Sequence, residues 1–102
     1  MASVRITVVK KLNTEDMFGN NPPIGSNSTP ECDKLELGQE FICEEGRCPA
    51  GLCSWAFADI QRDITHLRLG GDFYWIKNKG SMVSSCTDGL RPVIFRLERL
   101  ED

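Results

Sequence analysis

Cys43, Cys48 and Cys53 recur at C-x4-C-x4-C spacing within "CEEGRCPAGLC". Thiols this close together could hold a metal, form a disulfide, supply a reactive centre or simply pack in a core. Structural zinc sites pair two knuckles of the C-x2-4-C kind. Here the spacing is at the loose edge of that pattern, and no second knuckle follows. Cys32 and Cys86 are the remaining cysteines. If the fold brought them near Cys53, the result would be a three-thiolate site for zinc or iron with one open position. No cofactor is otherwise expected. Five cysteines is an odd number, so they cannot all pair within one chain.

The reactive-thiol reading rests on position. A cysteine at a helix N-terminus is activated by the helix dipole and by unpaired backbone N–H groups, and Cys53 opens the main predicted helix. The same residue falls in that helix's apolar stripe, where a free cysteine is ordinary core material. Cys86 ends a predicted strand and is followed by Thr87, Asp88 and Arg91, a combination suited to an anion or a small substrate. Cys43 shares a strand face with Phe41 and reads as core, and Cys48 precedes Pro49 in a turn with no base beside it. On the helix face opposite the stripe stand Trp55, Asp59, Arg62 and His66. Asp59 there is a candidate acid–base group, and Trp55 on a polar face points to a cover over it. Asp72, Phe73, Tyr74 and Trp75 could line a pocket, because aromatics with polar tips suit small ligands.

These residues need a scaffold. "SVRITVVKK" alternates Val4, Ile6 and Val8 against Arg5 and Thr7, the pattern of a half-buried strand. The following stretch is rich in Asn, Pro, Gly and Ser and reads as a long irregular loop, with 13–31 a surface insertion. A short strand carries Phe41 and Cys43. The main helix is predicted from Leu52 to Leu69, with Cys53, Ala56, Phe57, Ile60, Ile64 and Leu67 in a stripe about 100° wide. Gly70 and Gly71 supply its stop. "MVSSC" and "RPVIFRLERL" read as two strands joined through "TDGL", whose Asp-Gly signals a hairpin turn. Pro92 belongs at the first position of the last strand or at an edge. The order gives an α+β domain spanning 1–102: a small, mainly antiparallel sheet with one principal helix on one face, and end strands that pair.

Composition excludes several function classes. A net charge of −3 argues against a nucleic-acid partner, whose phosphates need a basic face. No run approaches the roughly 20 apolar residues of a membrane span, so no membrane partner is expected. "MASVRITVVKKLN" moves straight into strand-like alternation without a signal-peptide core, which predicts a cytoplasmic protein with reduced thiols. There is no phosphate-cradling glycine loop and no G-x-S-x-G.

"GQEF", "PAGLCSWAFADI", "GGDFYW" and "SCTDGLRPVIFRLER", in that order, resemble a family of small cysteine-containing hypothetical proteins from bacteria, archaea and fungi. The likeness runs over nearly the whole chain from Cys32 onward, and "CTDGLRPVIF" is its most specific part. It implies that Cys32, Cys53 and Cys86 are the meaningful cysteines and that Cys43 and Cys48 are local variation. Many relatives carry a further cysteine where this chain has Ser85, and "FGNNPPIGSNST" has the look of an insertion. The resemblance brings no activity with it. Together with Trp55, Asp59, Trp75, Asp88 and Arg91, the three cysteines would converge where the helix start meets the last hairpin.

The leading expectation is a thiol-dependent enzyme acting on a small metabolite, with Cys53, Cys86 and Asp59 catalytic and Cys32, Trp55, Trp75, Asp88 and Arg91 binding. The alternatives are a metal or redox module built on Cys32, Cys53 and Cys86, and a non-catalytic homo-oligomer that buries Trp55.

Overall fold

A computed structural model describes residues 2–100. Strand β1 (Ser3–Lys11) is followed by a short helix α1 (Thr14–Phe18), strand β2 (Glu40–Cys43), the long helix α2 (Ser54–Arg68), and strands β3 (Ser81–Ser85) and β4 (Val93–Leu100). The strands form one sheet in the order β2-β1-β4-β3, and every pairing is antiparallel. The two end strands do pair, from Ser3 opposite Leu100 to Lys11 opposite Val93. The α+β reading therefore holds. Among the described residues no helix is long and apolar enough to cross a membrane.

The period-2 pattern sets the core face. Val4, Ile6 and Val8 of β1, Phe41 and Cys43 of β2, and Val93, Phe95 and Leu97 of β4 are all buried. They meet Ala56, Phe57, Ile60, Ile64 and Leu67 of α2 in one cluster. The break in alternation at Val9 has a structural cause. The β1–β4 register slips between Val8 and Lys10, so Val9 is the extra residue of a bulge and faces solvent. On the open face, Glu98 accepts from both Arg5 and Arg96. Pro92 sits immediately before β4, where its missing N–H costs nothing, and its carbonyl accepts from the Leu12 N–H.

Helix α2 begins two residues later than predicted. Cys53 is its N-cap, and the Cys53 side chain makes no capping bond. Cys53 is thus half-buried at the helix mouth rather than central to the stripe, and the buried set includes Asp63 in its place. The double glycine ends the helix as expected. Gly70 takes φ +93°, its N–H donates to Leu67 O, and the Gly71 N–H donates to His66 O, the paired bonds of a Schellman motif. A Cβ at Gly71 would lie 2.5 Å from the His66 ring. That ring is held by a 3.0 Å bond between Nε2 and Asp72 O. Gly71→Ala should therefore cost about 1–2 kcal/mol in urea unfolding, as overpacking does. In a His66→Ala background the same change should cost almost nothing.

Two connections differ from expectation. The long loop contains α1, whose start is fixed by a capping box: the Asn13 side chain accepts from the Asp16 N–H and the Asp16 carboxylate accepts from the Asn13 N–H. The β3–β4 link is also longer than a tight hairpin, running over residues 86–92. Asp88 organises it, its carboxylate accepting from the Leu90 N–H and its carbonyl from the Arg91 N–H. The segment "DFYWI" is a turn-containing loop and not a strand.

Candidate functional site

The N-terminal end of α2, the β3–β4 link and the long loop enclose a pocket of about 650 Å3, within the size range of small-molecule sites. Each wall has its own local origin. Helix α2 and its N-cap contribute Cys53, Trp55, Ala56 and Asp59. The β3–β4 link contributes Cys86 through Arg91, and the long loop contributes Phe18, Pro23, Ile24 and Cys32. Leu35 and Val93, both almost fully buried, connect the pocket floor to the core.

Of the residues singled out in the sequence, Cys32, Cys53, Cys86, Trp55, Asp59, Asp88 and Arg91 all reach this pocket. Trp75 does not. It is 58% exposed and packs edge-on against Phe73 and Tyr74. Trp55 stands at the rim and is 80% exposed, so the long loop is not the cover that its place on a polar face pointed to. His66 lies outside the pocket against Phe73. No imidazole is therefore available beside the thiols.

The polar groups of the pocket are tied to one another. The Asp59 carboxylate accepts from the Thr87 N–H at 2.8 Å and from Thr87 Oγ1 at 3.0 Å, which pins the β3–β4 link to α2. Arg91 Nε donates to Asp88 Oδ2 at 3.1 Å, and Nη1 donates to Thr29 Oγ1 at 2.9 Å. Arg91 thus fastens the long loop to the β3–β4 link. Cys86 continues the ladder beyond β3: its N–H donates to Val93 O, and its Sγ accepts from the Val93 N–H at 3.2 Å.

All five cysteines are free. Cys32, Cys53 and Cys86 are half-buried and pack against the core edge. Cys43 is fully buried, and burial pushes its thiol up. Its Sγ donates to Arg47 O. Burial likewise raises the Cys48 thiol, and neither Cys43 nor Cys48 lines the pocket. Among the described residues no three His, Cys, Asp or Glu side chains stand close enough to hold a metal ion.

Sequence reasoning did not anticipate Phe18, Ile24, Lys34 and Leu90 on the pocket wall. One signal was available: large apolar residues in a loop otherwise made of Asn, Gly, Pro and Ser need something to face. In comparisons with known proteins the chain matches no family model, no curated protein and no solved structure.

Proposed function

We propose that the chain is a thiol-dependent enzyme acting on a small metabolite bound in this pocket. The observation that carries the reading is that Cys32, Cys53 and Cys86, far apart in sequence, line one cavity. They are the same cysteines that the family resemblance sets apart, and membership of that family belongs to the same proposal. Cys53 or Cys86 serves as nucleophile or acid. A nucleophilic thiol adds to a carbonyl carbon, the π pair moves to the carbonyl oxygen as the sulfur–carbon bond forms, and Asp59, which lines the same pocket, is the carboxylate that takes the thiol proton. Cys32 and Trp55 line the binding space. Free thiols suit a reducing compartment, and a cytoplasmic location is part of the proposal.

The test is a ranking of reaction rates. Iodoacetamide alkylation of the native protein, followed residue by residue by peptide mapping, should modify Cys53 or Cys86 about tenfold faster than the exposed Cys48. Replacing the faster residue by Ser should remove the fast phase and leave the melting temperature unchanged. If reactivity simply follows exposure, with Cys48 first, the pocket holds no activated thiol and the enzymatic reading fails.

A further inference from the structure

The charges on the pocket wall cancel, with Lys34 and Arg91 set against Asp59 and Asp88. One of the two cations, Arg91, is also already engaged. Arg91 donates to Asp88 through Nε and to both Oγ1 and O of Thr29 through Nη1. An anionic ligand would share the guanidinium with the Asp88 carboxylate, whose negative charge opposes it. It would also have to give up water for a wall that is otherwise mostly apolar, which is costly for a charge. An uncharged aromatic or aliphatic body meets neither obstacle.

The long loop supplies part of that apolar wall. Phe18 ends α1, and Ile24 follows Pro22 and Pro23. Ile24 is 65% exposed and lies outside the buried core, so the fold itself does not need it. Its apolar surface is directed at a cavity rather than at a packed interior. The bond between Arg91 and Thr29 holds this part of the loop in place.

We infer that the pocket selects an uncharged small molecule with an aromatic or aliphatic body, and that Phe18 and Ile24 are specificity-determining side chains. This inference rests on the reading of the pocket as the substrate site. Arg91 closes the wall instead of anchoring an anion.

Two dyes that differ by one charge test it. N-phenyl-1-naphthylamine and 1-anilinonaphthalene-8-sulfonate share their rings, and only the second carries a sulfonate. In fluorescence titrations the uncharged dye should bind about tenfold more tightly or better. Ile24→Asp and Phe18→Asp should each weaken it by about tenfold, because a carboxylate on the wall has to be desolvated. Both side chains are exposed, so the thermal midpoint should stay put. Arg91→Ala should weaken both dyes by a similar factor. Tighter binding of the sulfonate, a loss in Arg91→Ala confined to the sulfonate, indifference to both Asp variants, or binding of neither dye would each overturn the inference. Dye binding is an equilibrium measurement without chemistry, and the alkylation ranking is chemistry without a dye. The two readings therefore fail separately.

Discussion

Phe95→Ala should lower stability by about 3–5 kcal/mol, read as a shift of the urea midpoint. Phe95 is fully buried on β4, the strand that lies between β1 and β3, opposite Val8 on one side and Ser84 on the other. It is among the largest side chains with no solvent exposure, in the cluster that joins the sheet to Ile60, Ile64 and Leu67 of α2. Truncation removes most of an aromatic side chain and leaves a void that two paired neighbour strands keep open. The whole stability of a domain is commonly only about 5–15 kcal/mol. Phe95→Leu should recover much of the loss, because it restores volume without polar groups. A loss below about 1 kcal/mol would mean that the sheet and helix do not meet at Phe95.

Arg99→Ala should cost about 2–3 kcal/mol through a different cause, the loss of charge-assisted hydrogen bonds and of the side-chain donor to the Gly71 carbonyl. Its Nη1 donates to Leu67 O at 3.2 Å and to Gly71 O at 2.7 Å, and Nη2 donates to Asp72 Oδ1 at 3.0 Å. One half-buried guanidinium therefore satisfies the C-terminal end of α2 and fixes the aromatic loop to β4. Arg99→Lys should rescue only in part, since a single ammonium cannot reproduce the fork. The same cluster gives a pH signature. The Gly80 N–H and then Arg99 hold the Asp72 carboxyl below the usual carboxylate range. Arg5 and then Arg96 do the same for Glu98. A carboxyl that binds its proton less tightly when folded stabilises the protein above its unfolded pKa. That contribution disappears as pH falls through the lower, folded value. The wild type should therefore lose stability below about pH 4. Asp72→Asn should flatten that acid limb, and a limb unchanged in the variant would contradict the contacts of Asp72.

The fold was legible where periodicity is strict. Val4, Ile6 and Val8, and Val93, Phe95 and Leu97, recur at every second position, and they lie on the two central strands. Ile60, Ile64 and Leu67 recur at helical spacing, and the glycine pair marks the stop. The start of α2 was less legible, because Leu52 and Cys53 extend the apolar pattern while the backbone at Cys53 is still non-helical. Asp88-Gly89 is a turn signal in the sequence, but the bonds made by Asp88 and Cys86 widen the link beyond a tight hairpin.

The site was half legible. Cys53, Asp59 and Cys86 stood out as residue types, but the bond joining Asp59 to Thr87 spans 28 positions and leaves no local pattern. Trp75 was placed by analogy of chemistry, and its loop leads it away from the pocket. The contribution of Phe18 and Ile24 depends on how a long polar loop folds back. The tether between Thr29 and Arg91 fixes that path, and it spans 62 positions.

The central claim is that Cys32, Cys53 and Cys86 share one space. Its most direct measurement is mutual exclusion of labels. Native protein is first given one equivalent of fluorescein maleimide, then excess N-ethylmaleimide, and peptide maps are compared before and after unfolding in guanidinium. The expected result is that a bulky label on any one of the three leaves the other two unmodified until the chain unfolds, while Cys48 reacts throughout. Independent labelling of all three on the same native chain would contradict the account.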